Sequence, residues 1–247
     1  MLREARTRFG KSQFGYLTSL IEPVAVIVTF TLCYSALGRV APYGTSLPMF
    51  FALGTLAYGA FRRTSSFCTA AFEANQALLS YPIVQQVDTL IARAMLEFAT
   101  TIFSCFVLIG GLMVISDLPG PVRVEAMACA IILMTMLGFG LGSISAVVSH
   151  YFASWRNIEG MLTRPLFFLS GILFVPDNLP PKIMDYLAWN PMLHGVEMMR
   201  LGYYADYRST VLDVTYLVFW ALVLILIGLA AERAMRVRSA FETGVRR

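Results

Sequence analysis

Uncharged apolar runs long enough to cross a lipid bilayer dominate the chain. A helix rises about 1.5 Å per residue, so about 20 mostly apolar residues cross a hydrocarbon core about 30 Å thick. Such runs recur along the whole sequence, and each is bounded by charged residues or by Pro and Gly. We therefore predict an all-α integral membrane protein with six transmembrane helices, over residues 16–38, 44–62, 90–116, 124–149, 157–176 and 212–231.

The fifth run differs from the others. Only 12 residues separate Arg164 from Asp177, which is about 18 Å of helix. The span must therefore begin near Asn157 and carry Arg164 at its inner end. Residues 177–211 combine prolines and charges with amphipathic stretches, and irregular backbone at membrane depth is stable only inside protein or facing water. This pattern predicts re-entrant helices on the outer side of the membrane, between spans five and six.

Residues 1–15 contain the triplet Gly10-Lys11-Ser12, which also closes phosphate-binding loops. Such a loop needs a glycine five positions before Gly10, where this chain has Ala5, and it needs a preceding strand. At helical spacing the apolar and basic residues separate instead, which predicts an amphipathic interfacial helix. Its basic residues could meet anionic lipid or anionic substrate at the entrance, or act only as an anchor; they are Arg3, Arg6, Arg8 and Lys11.

Composition and charge fix the class and the orientation. The chain is 57% hydrophobic and 14% charged, whereas soluble domains average roughly 45–50% and 25%. Placing both termini in the cytoplasm, with a cytoplasmic tail at 232–247, puts 14 of the 19 basic residues inside and five outside, as the positive-inside rule requires. No cleavable signal peptide is evident. The histidines and cysteines lack metal-binding spacing, and no set of catalytic residues is recognisable, so we expect neither a metal site nor an enzyme. The net charge of +4 is modest for a chain that lies largely in lipid, so we expect no nucleic-acid partner.

Five motifs in order resemble one family. They are REARTRFGKSQFGYL leading into IEP, then FEANQALLSYPIV, SWRNIEGMLTRPLFFLSGILFVPDNLP and WNPMLHGVEMMR. Together they resemble the permease subunits of ABC-2 type exporters, nearest to those of capsular polysaccharide export and next to those of O-antigen export. One departure is Asn157, where many relatives carry an acid, so no salt bridge at that position follows from the resemblance.

The resemblance implies a transport subunit of the bacterial inner membrane and not an enzyme. Two copies of the chain would form a channel for lipid-linked capsular polysaccharide, and each would dock on a separate ATPase subunit. That partner would bind ATP and Mg, and this chain would hold no cofactor. The expected partners also include membrane lipids, with a periplasmic adaptor and an outer-membrane polysaccharide exporter left open.

The segment between spans two and three is the expected ATPase contact. By resemblance, residues 69–82 form a coupling helix that seats in the ATPase, although an ordinary loop helix packed on its own protein is the alternative. The residues assigned to coupling are Phe72, Glu73, Asn75, Gln76, Leu78 and Leu79.

Charged side chains within membrane spans cost free energy, so such residues are candidates for function. Glu22 precedes Pro23 and could cap the start of span one. Arg93 and Glu97 are spaced to pair with each other on one helix. Arg164 is the preferred substrate contact, because the short fifth span is expected to line the pore.

Aromatic rings can stack on the apolar faces of sugars, and the rings assigned to the pore lining are Tyr58, Phe61, Phe167, Phe168 and Phe174. Packing against protein or lipid is the alternative for each of them. Other functions also stay open: export of O-antigen or teichoic-acid-type polysaccharide, export of small lipids or drugs, or a membrane enzyme acting on lipid-linked sugars. The enzyme would use the outer set of Asp177, Asp185, His194, Glu197 and Asp206.

Overall fold

The computed structural model describes residues 15–79, 81, 83–152 and 154–244. Within these residues all regular structure is helical, which confirms the predicted all-α class. The helices are α1 (Gly15–Ala36), α2 (Leu47–Thr69), α3 (Ala71–Ala74), α4 (Gln76–Leu79), α5 (Gln86–Ser116), α6 (Val124–Tyr151), α7 (Trp155–Leu169), a 3₁₀ turn (Pro176–Asn178), α8 (Pro181–Leu187), α9 (Pro191–Tyr203) and α10 (Val214–Gly244).

Three of the described helices are long and apolar enough to cross a membrane: α5, α6 and residues Val214–Arg238 of α10. A shorter apolar stretch, Leu20–Ala36, lies in α1. Much of the surface of α5 and α10 is apolar and exposed, for example at Phe106 and Leu226. In water such faces would be costly, whereas in lipid they match their surroundings. The fold is therefore that of an integral membrane protein.

Helix ends follow local chemistry. Ser46 begins α2, where its Oγ accepts from the backbone N–H of Met49 at 3.4 Å. At the start of α5, the carboxylate of Asp88 accepts from the backbone N–H of Gln85 at 2.9 Å, as part of a capping box. That helix ends at Asp117, whose φ of 48° is left-handed. The cap at Ser46 satisfies a terminal N–H group that has no partner within the helix, and at the end of α5 the backbone N–H of Asp117 donates to the carbonyl oxygen of Met113.

Helix α6 lies at the centre of the bundle and packs against α2, α5, α9 and α10. Its glycines allow the close approach. A Cβ at Gly138 would lie 2.3 Å from the carbonyl oxygen of Phe61 in α2, and one at Gly142 would lie 2.7 Å from Ser65 O. A Cβ at Gly140 would lie 2.7 Å from the backbone of α10. Small residues at these positions bring backbones together, which is how helices associate within a bilayer.

Several boundaries differ from the prediction. Helix α7, which corresponds to the predicted fifth span, ends at Leu169 rather than near residue 176, because the chain bends at Gly171. Helix α2 continues past residue 62 to Thr69, and α10 continues as one helix through most of the predicted cytoplasmic tail. The predicted coupling helix is instead two single-turn helices, α3 and α4, that meet at Asn75.

The glycine contacts of α6 make a direct prediction. Replacing Gly138 with alanine should destabilise the protein by about 1–3 kcal/mol, because the added methyl overlaps a backbone oxygen that cannot move aside. The measurement is thermal unfolding of the purified protein in detergent.

The matched control is Gly110→Ala in α5, where nothing lies within 4 Å of the added Cβ. This variant should be neutral or more stable by about 0.5–1 kcal/mol, since alanine favours helix over glycine. Equal effects of the two substitutions would contradict the close packing of α2 and α6.

Candidate functional site

The chain leaves α7 at Leu169 and reaches Pro176 through a non-helical stretch, residues 170–175, which we call the return segment. Gly171 lies in the left-handed region with φ +74°, and a Cβ there would lie 2.6 Å from Cδ1 of Leu193 in α9. Both the backbone conformation and the available space therefore require glycine at this bend. The bend turns the chain into the protein, where Ile172 is fully buried.

The carbonyl groups of the return segment are held by Arg200 of α9. Its Nη2 donates to the carbonyl oxygens of Gly171 at 2.7 Å and Ile172 at 3.2 Å. Its Nη1 donates to the carbonyl oxygen of Phe174 at 3.0 Å. A planar guanidinium with several fixed donors can serve three acceptors at once.

Two further side chains complete the support of this backbone. The hydroxyl of Tyr34 in α1 donates to the carbonyl oxygen of Leu173 at 2.9 Å. The side-chain amide of Asn190 donates to the carbonyl oxygen of Leu169 at 3.1 Å. The carbonyl oxygens of residues 171–174 are thus paired by protein groups, which favours the stability of this irregular backbone at membrane depth.

The charge of Arg200 is balanced inside the protein. Nη1 also donates to Oε1 of Glu197, three residues earlier on α9, at 3.0 Å, and both side chains are 0% exposed. The hydroxyl of Tyr207 donates to the other carboxylate oxygen at 2.8 Å. The guanidinium also lies 4.0 Å above the ring of Phe50 in α2. A buried ion pair survives when each partner has additional contacts of this kind.

The loop after α9 supplies Tyr207 as a hydrogen-bond donor to Glu197. Burial, and after it the negative charge of Glu197, raises the pKa of Tyr207 far above its ordinary value. Burial likewise raises the pKa of the neighbouring Tyr204. Tyr207 therefore keeps its proton at any physiological pH and remains a donor to Glu197.

Sequence reasoning missed this cluster. In the predicted topology Arg200 is one of the five basic residues outside, with Arg39, Arg123, Lys182 and Arg208, and Glu197 belongs only to the alternative enzyme set. Their spacing of three within an otherwise apolar helix was the available signal, because a charged pair on one face of such a helix is costly unless it is used.

His194, another member of the alternative enzyme set, has a structural role. It is buried, and its Nδ1 accepts from the backbone N–H of Asp213 at 3.0 Å. The ring therefore carries its proton on Nε2, which donates to the carbonyl oxygen of Ala188 at 2.8 Å. The Asp213 carboxylate in turn accepts from the N–H of Tyr216 at the start of α10. These bonds fix the end of α8 and α9 to the last helix.

At the opposite end of the bundle, polar side chains join α2 to α1 and α7. Glu22 forms an ion pair with Arg62 of α2. It lies inside α1 rather than at its start, so the prediction that it caps the first span is wrong. The hydroxyl of Ser65 donates to Glu159 of α7 at 2.7 Å.

The predicted coupling residues lie at this same end. Phe72 is buried in a second core with Leu90 and Val147, so its ring packs on its own protein. Glu73 forms an ion pair with Arg156, at the start of α7. Asn75 bonds back to the carbonyl oxygen of Ala71 at 3.1 Å. The remaining predicted coupling residues form the outer part of the segment: Gln76 is exposed, and Leu78 and Leu79 are half-buried.

The predicted intramembrane charges of α5 are both placed within the bundle. Nη1 of Arg93 donates to the carbonyl oxygen of Phe67 in α2 at 2.9 Å. Glu97 is 1% exposed. One donor of the Arg93 guanidinium is therefore used in the contact between α5 and α2. The pairing of Arg93 with Glu97 stays a prediction.

The five predicted pore aromatics occupy different environments. Phe61 and Tyr58 are buried at 0% and 2%, and the Tyr58 hydroxyl donates to the carbonyl oxygen of Thr163 at 2.6 Å. Phe167 is half-buried and stacks on Phe30, with ring centroids 5.7 Å apart. Phe174 is also half-buried, whereas Phe168 is 56% exposed.

Arg164, the preferred substrate contact, is exposed on α7. The four basic residues assigned to the entrance, Arg3, Arg6, Arg8 and Lys11, lie outside the described residues. Their role therefore stays a prediction.

The fold and site together define a class. Membrane-length apolar helices accompany an irregular segment whose carbonyl oxygens at residues 171–174 accept from protein side chains, and a polar cluster lies at the other end of the bundle. Broken helices supported in this way are an architecture of membrane transport proteins.

Comparison with known proteins identifies the family. A family model described as ABC-2 type transporter matches residues 1–204. The chain is 34% identical over 236 residues to the polysialic acid transport protein KpsM of Escherichia coli, covering 94% of this chain and 90% of that protein. It is 31% identical over 238 residues to the capsule polysaccharide export inner-membrane protein CtrC of Neisseria meningitidis serogroup A, covering 93% and 87%.

A more distant similarity is to the O-antigen export system permease protein RfbA of Klebsiella pneumoniae, at 20% identity over 241 residues, covering 96% of this chain and 91% of that protein. The chain belongs to the ABC-2 type transporter family, as the resemblance of its motifs predicted. It is a transport protein of the membrane and not an enzyme.

The Arg200 cluster makes the second prediction. Arg200→Met should destabilise the protein by about 3–5 kcal/mol, because Glu197 and the return-segment carbonyls lose their donor inside the protein. Thermal unfolding in detergent is the measurement.

Arg200→Met combined with Glu197→Gln should recover part of the lost stability, since no unpaired charge is left. Arg208→Gln, at an exposed arginine in the following loop, is the control and should unfold like the parent. Parent-like stability of Arg200→Met would refute the support of the return segment by Arg200.

Proposed function

We propose that this chain is the membrane subunit of an ATP-driven exporter that moves lipid-linked capsular polysaccharide across the bacterial inner membrane. The observation that carries the proposal is similarity over nearly the full length of both chains. Relatives named for polysialic acid transport and capsule polysaccharide export are 31–34% identical, against 20% for the O-antigen permease. Export of an O-antigen or teichoic-acid-type polysaccharide is the alternative.

The proposed topology has six spans with both termini in the cytoplasm. Contacts between residues near the ends of different helices support this topology. Arg156 pairs with Glu73, and Arg236 bonds to Gln85, so the ends assigned to the cytoplasm lie together. At the other end, the N–H of Arg123 bonds to the carbonyl oxygen of Gly202 at 2.8 Å, which joins two stretches assigned to the periplasm. The 14-to-five division of basic residues then orients the bundle.

The energy source in this proposal is a separate ATPase subunit that binds ATP and Mg, while this chain holds no cofactor. Two copies of each chain would form the complex. The surface of α3 and α4 would dock on the ATPase through its exposed residues, Glu73 and Gln76 above all, because Phe72 is already occupied by its own core. The ion pair between Glu73 and Arg156 would pass movement of this surface directly to α7.

The second copy would face α7. Its outer surface carries exposed apolar residues, including Met161 and Leu162, beside the exposed Phe168 and Arg164. A channel between two such faces would present one aromatic and one cationic side chain from each copy. Phe61 and Tyr58 would support this wall from behind rather than touch the substrate, because both are buried within one protomer.

The function is tested by deleting the gene in its host. Polysaccharide should accumulate in the cytoplasm and disappear from the cell surface, and the parent gene should restore it. Loss of surface O-antigen with an intact capsule would favour the alternative, and normal export of both would end the proposal.

The coupling surface is tested with Gln76→Arg. A bulky charge on the exposed face should reduce co-purification of the ATPase subunit and surface polysaccharide by about tenfold, the effect of losing about 1.4 kcal/mol of binding free energy. The control is Lys182→Glu, which reverses the charge of an exposed residue on α8, at the end of the bundle away from Gln76. This variant should keep ATPase binding. Undiminished co-purification of Gln76→Arg would show that docking lies elsewhere.

A further inference from the structure

Helix α10 joins the two ends of the bundle without a break. It runs from Val214 to Gly244 over 31 residues, about 46 Å at 1.5 Å per residue. Its sequence contains no proline, the commonest cause of a sharp kink. The helix is longer than the roughly 20 residues that cross a bilayer, so its last turns extend past the membrane-spanning part.

The inner contact of α10 is formed by Met235 and Arg236. Met235 is buried in the second core, the cluster that also holds Phe72 of α3 and Leu90 of α5. Nη1 of Arg236 donates to the side-chain oxygen of Gln85, the N-cap residue of α5, at 2.5 Å. The last helix is therefore attached both to the first turn of the proposed ATPase contact and to the residue just after that segment.

The outer contact of α10 is formed by Asp213 and Tyr216. The backbone N–H of Asp213 donates to Nδ1 of His194 at 3.0 Å, and the rings of His194 and Tyr216 lie 5.1 Å apart. The Tyr216 hydroxyl donates to the carbonyl oxygen of Trp189 at 2.8 Å. These contacts attach α10 to the start of α9 and to the stretch just before it, and α9 carries Arg200, the donor to the return segment.

Between these two contacts α10 packs closely along α6. A Cβ at Gly228 would lie 2.7 Å from Cβ of Ser143, and a Cβ at Gly140 would lie 2.7 Å from backbone atoms of Leu224 and Ile225. Closely packed protein is hardly compressible and transmits strain. A continuous helix that is supported along its length and bonded at both ends can therefore carry a displacement from one end to the other.

We propose that α10 couples the ATPase contact to the return segment, with Met235 as the positioning residue at the inner end and Tyr216 at the outer end. The proposal rests on the proposed function, because a bound ATPase supplies the displacement of α3. Such a displacement would move the second core and with it the inner end of α10. The outer end would move the start of α9, and Arg200 would carry the return-segment carbonyls with it.

Both ends of α7 would then respond to the same event. Its start is bonded to α3 directly, through Arg156 and Glu73, and its C-terminal exit is held by Arg200. A helix driven only from its start can bend at an internal proline, and α7 contains Pro165. The route through α10 gives an inner displacement a second path, which ends at the outer side of the bundle.

The experiment measures the accessibility of a cysteine next to the return segment. Asn178→Cys places a thiol at an exposed position of the 3₁₀ turn that follows this segment. The two native cysteines that are not buried are replaced, as Cys33→Ser and Cys129→Ala. The full chain, in complex with its ATPase in nanodiscs, is labelled with a water-soluble maleimide, with and without a non-hydrolysable ATP analogue.

We expect the ATP analogue to change the labelling rate of the parent by about threefold or more. Met235→Ala and Tyr216→Ala should each remove most of this response, while the complex still assembles and hydrolyses ATP. Met235→Leu, which keeps the volume of the side chain, should restore the response. The control for the outer contact is Tyr186→Ala, at an exposed tyrosine of α8, and it should respond like the parent.

A parent-like response in Tyr216→Ala would overturn the proposal, as would a parent whose labelling rate ignores the nucleotide. An equal loss of response in Tyr186→Ala would also overturn it, because the effect would then not depend on the contact with α9. If Met235→Ala does not assemble with the ATPase, Tyr216→Ala still decides, since it lies at the far end of the helix. Failure of the parent chain to bind any ATPase would instead refute the proposed function.

Discussion

The fold around α7, the predicted fifth span, depends on the guanidinium of Arg200. Arg200 occupies the point where α9, α2 and the return segment meet, and it serves three backbone carbonyls and one carboxylate. Without it the chain could not leave α7 early, because each orphaned carbonyl in a water-poor interior costs free energy comparable to a lost hydrogen bond. The short length of α7 is a consequence of that early exit.

The two ends of the bundle are built on different physical principles. Around Arg200 the charges are fully buried, paired and fixed, which suits a part that must hold its shape. At the opposite end the pairs Glu22–Arg62 and Glu73–Arg156 are half exposed and weak, and exposed pairs exchange partners at little cost. A transporter needs both properties, a rigid frame around the path and contacts that can change during the cycle.

The helical class and most helix positions could be predicted from the sequence, because twenty-residue apolar runs have few alternatives in a bilayer. The exit at Leu169 could not be predicted, since it depends on Gly171 meeting Leu193 and on a donor 29 residues away. The break at Asn75 was missed for a similar reason, because a side-chain bond to Ala71 competes with a continuous helix. Long-range pairing of charges is invisible in a linear pattern, and Glu22 and Arg62 illustrate this.

The separation of Arg200 from the return segment also constrains how the protein is made. The carbonyl oxygens of Gly171 and Phe174 accept hydrogen bonds from Arg200, which lies 29 and 26 residues further along the chain and is synthesised later. During synthesis α7 therefore enters the membrane before its C-terminal exit can be satisfied, and the exit becomes stable only when α9 has emerged and folded back. Until then these carbonyl oxygens have to pair with other groups or with water, so the exit reaches its final structure only after α9 has been synthesised.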